Sequence, residues 1–240
     1  MIHNEDSRVK IPTILHLVRL GYTYLSLKNN VWDESTNIFT DVFKESIQRI
    51  NPDLSADDIA RFYDEIALTL ENEDLGKVFY EKLTARSGKR LIDFENFDNN
   101  SFHVVTELTH GNKEDDNFRP DITLLINGMP LVFIEVKKPN NLDGVQAEHK
   151  RMATRFQNKK FRNFINITQL MVFSNNMEYD DSSPVPLQGA FYSSTSYYKP
   201  IFNYFREEEE LDLNTILKPE DAEVETFVLK DTNLKINQNL

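Results

Sequence analysis

The chain has no cysteine, so disulfides, thiolate nucleophiles and zinc-thiolate sites are all excluded. Its five histidines fall at no close metal-ligand spacing, and no imidazole cage is indicated either. No apolar run is long enough to cross a bilayer, and the opening Met1 to Lys10 is polar and charged, unlike a secretory leader. No membrane role is expected, and the expected location is the reducing cytoplasm. Glycine is scarce, with 7 in 240 residues, and Gly88-Lys89 is no phosphate loop, because Leu83 stands where the first Walker A glycine belongs. No ATP site is expected in this chain. Positive charge is short as well: 27 Lys and Arg against 39 Asp and Glu leave −12, which argues against a protein that coats nucleic acid through net charge.

What is present is a hydrophobic content of 40 %, enough for a real core, in 240 residues that can hold one large domain or two small ones. The charge is distributed unevenly. Lys150, Arg151, Arg155, Lys159, Lys160 and Arg162 follow one another with no acid among them, whereas Glu207 to Glu210 form an acidic block near the C-terminal end. A basic run suits phosphate contact, or simply a solvated helix face.

The chemistry concentrates between Arg119 and Pro139. Two strand-like apolar runs flank Asn127-Gly128, a strong short-range signal for a hairpin. Asp121 opens the first run, and Glu135-Val136-Lys137 closes the second. The two-residue repeat of a strand puts Glu135 and Lys137 on one face. A plain two-residue loop would set Asp121 opposite Ile134, on the wrong face. Convergence of Asp121, Glu135 and Lys137 therefore requires an odd loop or a bulge. Two carboxylates and the Val136 carbonyl offer hard oxygen donors of the kind Mg²⁺ takes, and Lys137 can orient or deprotonate a water or stabilise charge on a phosphate. The competing reading is that Glu135, Lys137 and Lys138 solvate an edge strand.

Pro120-Asp121 followed by Glu135-x-Lys137 matches the PD-(D/E)xK motif of restriction-endonuclease-like nucleases. The whole block from Arg119 to Pro139 resembles the nuclease segment in the restriction (R) subunit of type I restriction-modification enzymes. The resemblance is strongest over residues 100 to 176. It implies an α/β restriction-endonuclease-like core, a mixed sheet flanked by helices, with an N-terminal helical elaboration. It also implies Mg²⁺-dependent cleavage of double-stranded DNA, with Asp121, Glu135 and Lys137 catalytic, and Asp121, Glu135 and Val136 holding the metal. Lys138, Lys150, Arg151 and Arg155 are the candidate DNA contacts. In that family ATP serves motor domains that are absent here, and methyltransferase (M) and specificity (S) subunits complete the assembly. The family's Gln-x-x-x-Tyr element is missing: His149 and Ala153 stand near its place, and Gln146 is the nearest glutamine. A stand-alone repair nuclease and a non-cleaving DNA-binding scaffold remain alternatives.

Along the rest of the chain, Ile11, Ile14, Leu15 and Val18 predict a helix over about 9–20, and Tyr22 to Leu27 alternates like a strand. Helices are expected from Thr40 to Ile50, from an N-cap near Ser55 through Leu70, and again up to Leu83. Phe102 to Thr109, Thr168 to Asn175 and Gly189 to Thr195 read as strands. Between them a helix carries a stripe of Val145, His149, Met152 and Phe156. Glu107 is a candidate for a second metal or a water, or an exposed strand carboxylate. Tyr197, Tyr198, Phe202, Tyr204 and Phe205 read as core. The expected division is a mainly helical 1–86, a nuclease core over 87–206 and an acidic linker over 207–240.

Overall fold

A computed structural model gives the structure of residues 9–111, 117–137, 142–174, 190–193 and 202–205. Side chains are described for all of these except 142–146, 149, 190–193 and 202–205. Lys138, His149's side chain and the acidic block at 207–210 lie outside the described residues.

Apolar residues at helical spacing form α1 (Ile11–Arg19), α2 (Thr40–Ile50), α3 (Ala56–Thr69) and α4 (Lys77–Leu83). Pro12 sits in the first turn of α1, where no intrahelical N–H is required. Ser55 caps α3: its hydroxyl accepts from the Asp58 N–H at 3.2 Å while its own N–H donates to the Asp58 carboxylate at 3.1 Å. Such a reciprocal box contributes about 1 kcal/mol.

Strands β1 (Thr23–Tyr24), β2 (Phe102–Thr106), β3 (Ile122–Ile126), β4 (Met129–Val136), β5 (Leu170–Ser174), β6 (Ala190–Ser193) and β7 (Phe202–Phe205) form one mixed sheet in sequence order. β1 pairs parallel with β2, and β4 with β5; the other neighbours are antiparallel. The parallel step from β4 to β5 is made through α5 (Leu142–Phe156) and α6 (Arg162–Ile167). This is the expected α/β architecture, but the sheet begins at Thr23 rather than near residue 87. β1 is shorter than the alternation of Tyr22 to Leu27 suggests, because Ser26 turns the chain by accepting from the Lys28 N–H and the Asn30 side chain. β2 stops at Thr106 because Glu107 takes a left-handed φ of 60°. The basic run is not one helix either: α5 ends at Phe156, Lys159–Phe161 form a separate 3-10 turn, and Arg162 opens α6.

Strand alternation sends one residue set to each face of the sheet. Ile11, Ile14 and Leu15 of α1 pack on Val104, Ile122, Leu124, Ile134 and Val136. On the opposite face Phe133, Met171 and Phe173 meet Met152 of α5 and Phe164 and Ile165 of α6. α2, α3 and α4 cover Met129 and Leu131 on the same side. The N-terminal helices are thus part of the core packing.

Asn127 and Gly128 form the turn between β3 and β4, at φ 53° and 78°. Asn127 is fully buried. Its amide donates to the Leu91 carbonyl and the Asn100 side chain, and its Oδ1 accepts from the Ser101 N–H, so no polar atom of the side chain is left over. A Cβ on Gly128 would lie 2.6 Å from the Phe39 carbonyl oxygen. Gly128→Ala is expected to destabilise the chain by about 2–4 kcal/mol through the positive φ and the backbone clash together. Urea denaturation tests this, and an unchanged midpoint would refute the turn geometry.

His110 is buried against Phe118 and Phe164, with its Nδ1 facing the Asn37 amide at 2.7 Å. Burial pushes its pKa down to about 3. The unfolded chain takes up this proton near the ordinary value of about 6.5 and the folded chain does not, so stability is present above that pH and lost as pH falls through it. Between pH 7 and pH 5 the loss attributable to His110 is about 2 kcal/mol. It is isolated by comparing the acid dependence of the wild type with that of His110→Gln in denaturant melts; parallel curves would contradict it.

Candidate active site

β3 and β4 are joined by a two-residue turn and also carry a bulge. Ile126 faces Met129 and Leu125 faces Pro130, but Leu124 faces Val132, so Leu131 has no partner. From there Thr123 faces Phe133 and Ile122 faces Ile134. Continuing by one residue sets Asp121 opposite Glu135. The expected register is therefore the observed one, and it is reached by a bulge in place of a longer loop. The geometry is fixed at the far end too, where Asp121 Oδ2 accepts from the Val136 N–H at 2.9 Å.

Glu135 and Lys137 point to the face covered by α5, and Lys137 Nζ lies 2.6 Å from Glu135 Oε1. Burial, and then the charge of Asp121, push the Glu135 pKa up to about 7, against the opposing pull of Lys137. Burial alone would lower the Lys137 pKa, but Glu135, Glu148 and Asp121 outweigh it and the net shift is upward. Lys137 is accordingly an ammonium at neutral pH.

Two contributors had not been singled out from sequence. Glu148 of α5 is only 3 % exposed, faces Lys137 Nζ at 3.8 Å and pairs with Arg151. Glu148, Met152 and Arg155 fall at i, i+4 and i+7, so a shared inward face was legible, though not which polar member met the strand end. Lys10, at the start of α1, is 2 % exposed and binds Glu107, with Asp121 Oδ1 at 3.5 Å. Nothing local in the sequence marks it. Glu107, weighed above as a metal or water ligand, pairs with both Lys10 and Arg119.

The candidate DNA contacts separate. Lys150 is exposed on α5, and Arg151 is exposed while paired to Glu148. Arg155 is half-buried, its guanidinium 4.2 Å from the Phe118 ring centroid. Lys159 and Arg162, from the same basic run, both bind Glu73 in the segment between α3 and α4. Those two cations tie α6 to the helical layer.

In this arrangement two carboxylates and a lysine converge at adjoining strand ends. Among the described residues no group of three or more His, Cys, Asp or Glu side chains forms a metal cage, so a cation here would rely on two carboxylates, a carbonyl and water. Among the same residues no helix is long and apolar enough to cross a membrane.

The chain is similar to several type I restriction enzyme endonuclease subunits. A putative type I restriction enzyme MjaIXP endonuclease subunit of Methanocaldococcus jannaschii is 28 % identical over 205 residues, covering 75 % of this chain and 19 % of that protein. The type I restriction enzyme HindI endonuclease subunit of Haemophilus influenzae is 28 % identical over 126 residues, covering 45 % of this chain and 12 % of that protein. A second M. jannaschii protein, the putative MjaVIIP endonuclease subunit, reaches 43 % over 74 residues, which are 29 % of this chain and 7 % of the relative. The chain thus spans at most about a fifth of the length of these relatives. The family described as type I restriction enzyme R protein N terminus matches residues 2–180, and the chain belongs to that family.

Proposed function

We propose that the chain carries the nuclease site of a type I restriction enzyme R subunit and hydrolyses DNA phosphodiester bonds with Mg²⁺. The observation that carries this is the bulge at Leu131, which brings Asp121 into register with Glu135 and leaves Lys137 on the same face. Asp121 and Glu135 would hold the cation. The N–H and C=O of one residue leave an extended strand on the same edge, so the Val136 carbonyl faces the side to which its N–H reaches Asp121. These are hard oxygen donors, and the high Glu135 pKa reflects burial first and then the like charge of Asp121, which a divalent cation would offset. Mg²⁺ bound here would polarise a phosphate oxygen and acidify a water.

Lys137, held as an ammonium by Glu135 and Glu148, supplies charge and orientation rather than a base. Lys150 and Arg151 of α5, with Lys138, would hold flanking phosphates. On this reading double-stranded DNA is the substrate, M and S subunits are partners, and ATP is used by motor domains outside this chain.

Glu135→Gln and Lys137→Ala, introduced into the full-length R subunit assembled with its partners, are each expected to reduce Mg²⁺- and ATP-dependent cleavage by roughly 10²-fold or more while ATPase activity persists. Cleavage at the wild-type rate would refute the assignment. Plasmid nicking by the isolated chain in Mg²⁺ would favour an autonomous nuclease over a translocation-dependent one. DNA binding indifferent to Lys137→Ala, with no cleavage in any assembly, would favour a scaffold. Glu148→Gln is expected to lower the Lys137 pKa, since the Glu148 charge helps raise it. NMR titration of ¹³C-labelled lysine side chains measures this, and an unmoved Lys137 would show that Glu148 does not act on it.

A further inference from the structure

Around the far side of Asp121 the fold builds a second charge cluster that the proposed metal site does not use. Lys10 enters from α1, on the sheet face opposite α5, and its ammonium reaches the strand ends almost without solvent contact. It binds Glu107 Oε1 and faces Asp121 Oδ1 at 3.5 Å. Arg119 Nε takes the other Glu107 oxygen, Oε2, at 2.5 Å. Both oxygens of Glu107 are therefore held by cations. Asp121 is pinned on both oxygens too, Oδ1 by Lys10 and Oδ2 by the Val136 N–H. Glu107 keeps a left-handed φ of 60°, and its N–H lies 3.3 Å from the Asp121 carbonyl oxygen. A non-glycine residue adopts that backbone only where its surroundings over-determine it, and such positions concentrate at functional sites.

Two-metal phosphodiester hydrolysis places a second cation about 4 Å from the first, bridged by a shared carboxylate. Here the outer oxygen of Asp121 and the only neighbouring acid on that side, among the described residues, already face an ammonium. We propose that Lys10 is a positioning residue standing in for a second divalent ion: it fixes the Asp121 carboxylate and closes Glu107 to metal, so the site binds one divalent cation. This rests on the metal-site reading above, and the test separates the two.

Mn²⁺ alone is titrated into the 240-residue chain by calorimetry, with stoichiometry checked by electron paramagnetic resonance and folding by circular dichroism. The wild type is expected to bind one Mn²⁺, and Glu135→Gln to bind it at least tenfold more weakly. Lys10→Ala, which opens room and frees Glu107 Oε1 and Asp121 Oδ1, is expected to bind a second ion. Lys10→Arg should bind one, and Lys10→Ala combined with Glu107→Gln should return to one. Two ions in the wild type would overturn the proposal whether or not the variant folds. A single ion in folded Lys10→Ala would overturn it as well, leaving the metal site intact if Glu135→Gln still weakens binding. Absence of any binding in the wild type would overturn both readings.

Discussion

One unpaired residue, Leu131, decides which side chains share a face. Strand side chains alternate with a period of two, so a hairpin in simple register from Ile126–Met129 would carry Asp121 opposite Ile134, across the sheet from Glu135. The bulge restores convergence, and both ends of the hairpin hold it in place. At the turn, Asn127 is tied into the segment around Leu91 and Ser101, and Gly128 lies against the start of α2. At the open end, Asp121 accepts from Val136. Helices far from the strand ends therefore bear on the candidate site: α2 fixes the turn, the turn fixes the register, and the register brings the candidate residues together.

The second constraint is electrostatic. Glu107, Asp121, Glu135 and Glu148 gather at one end of the sheet, and Lys10, Arg119, Lys137 and Arg151 answer them. Burying like charges is costly unless each is paired, and most of these acids have a cation within reach. Glu135 keeps a residual cost, visible in its raised pKa, because burial disfavours its charge and Asp121 and Glu148 oppose it while Lys137 is shared with Glu148. On the proposed reading, a cation held by Asp121 and Glu135 would offset the repulsion between them.

Local features were legible in the sequence where the physics is local. α2 ends where Asn51-Pro52 stops it, Ser55 caps α3, and Asn-Gly sets the hairpin turn. The need for an odd loop or a bulge followed from counting residues between Asp121 and Glu135, since parity is a property of the chain itself. Lys10 was invisible because 97 residues separate it from Glu107, and the apolar pattern of the helix it opens does not show what its ammonium meets. Glu148 was half visible, on a helix face whose partner was unknown. The basic run misled for a related reason: composition grouped Lys159 and Arg162 with Lys150 and Arg151, but the break at Asn158 turns the later pair toward Glu73.

That division of the basic run bears on how a chain of net charge −12 would meet DNA. With Lys159 and Arg162 engaged in holding α6 to the helical layer, and Arg155 stacked on Phe118, the exposed cations of α5 among the described residues reduce to Lys150 and the Glu148-paired Arg151. Arg151 in turn shares Glu148 with Lys137, so a phosphate that drew Arg151 away would leave Glu148 to Lys137 alone. Contact with a flanking phosphate and the placement of the lysine beside the cleavage site would then be linked through one buried carboxylate. A site of this kind gains little from long-range attraction, since the surrounding chain repels the polyanion. Under the proposed function its selectivity for DNA would rest on delivery of the duplex to the strand ends, and the chain spans a fifth or less of its relatives' length.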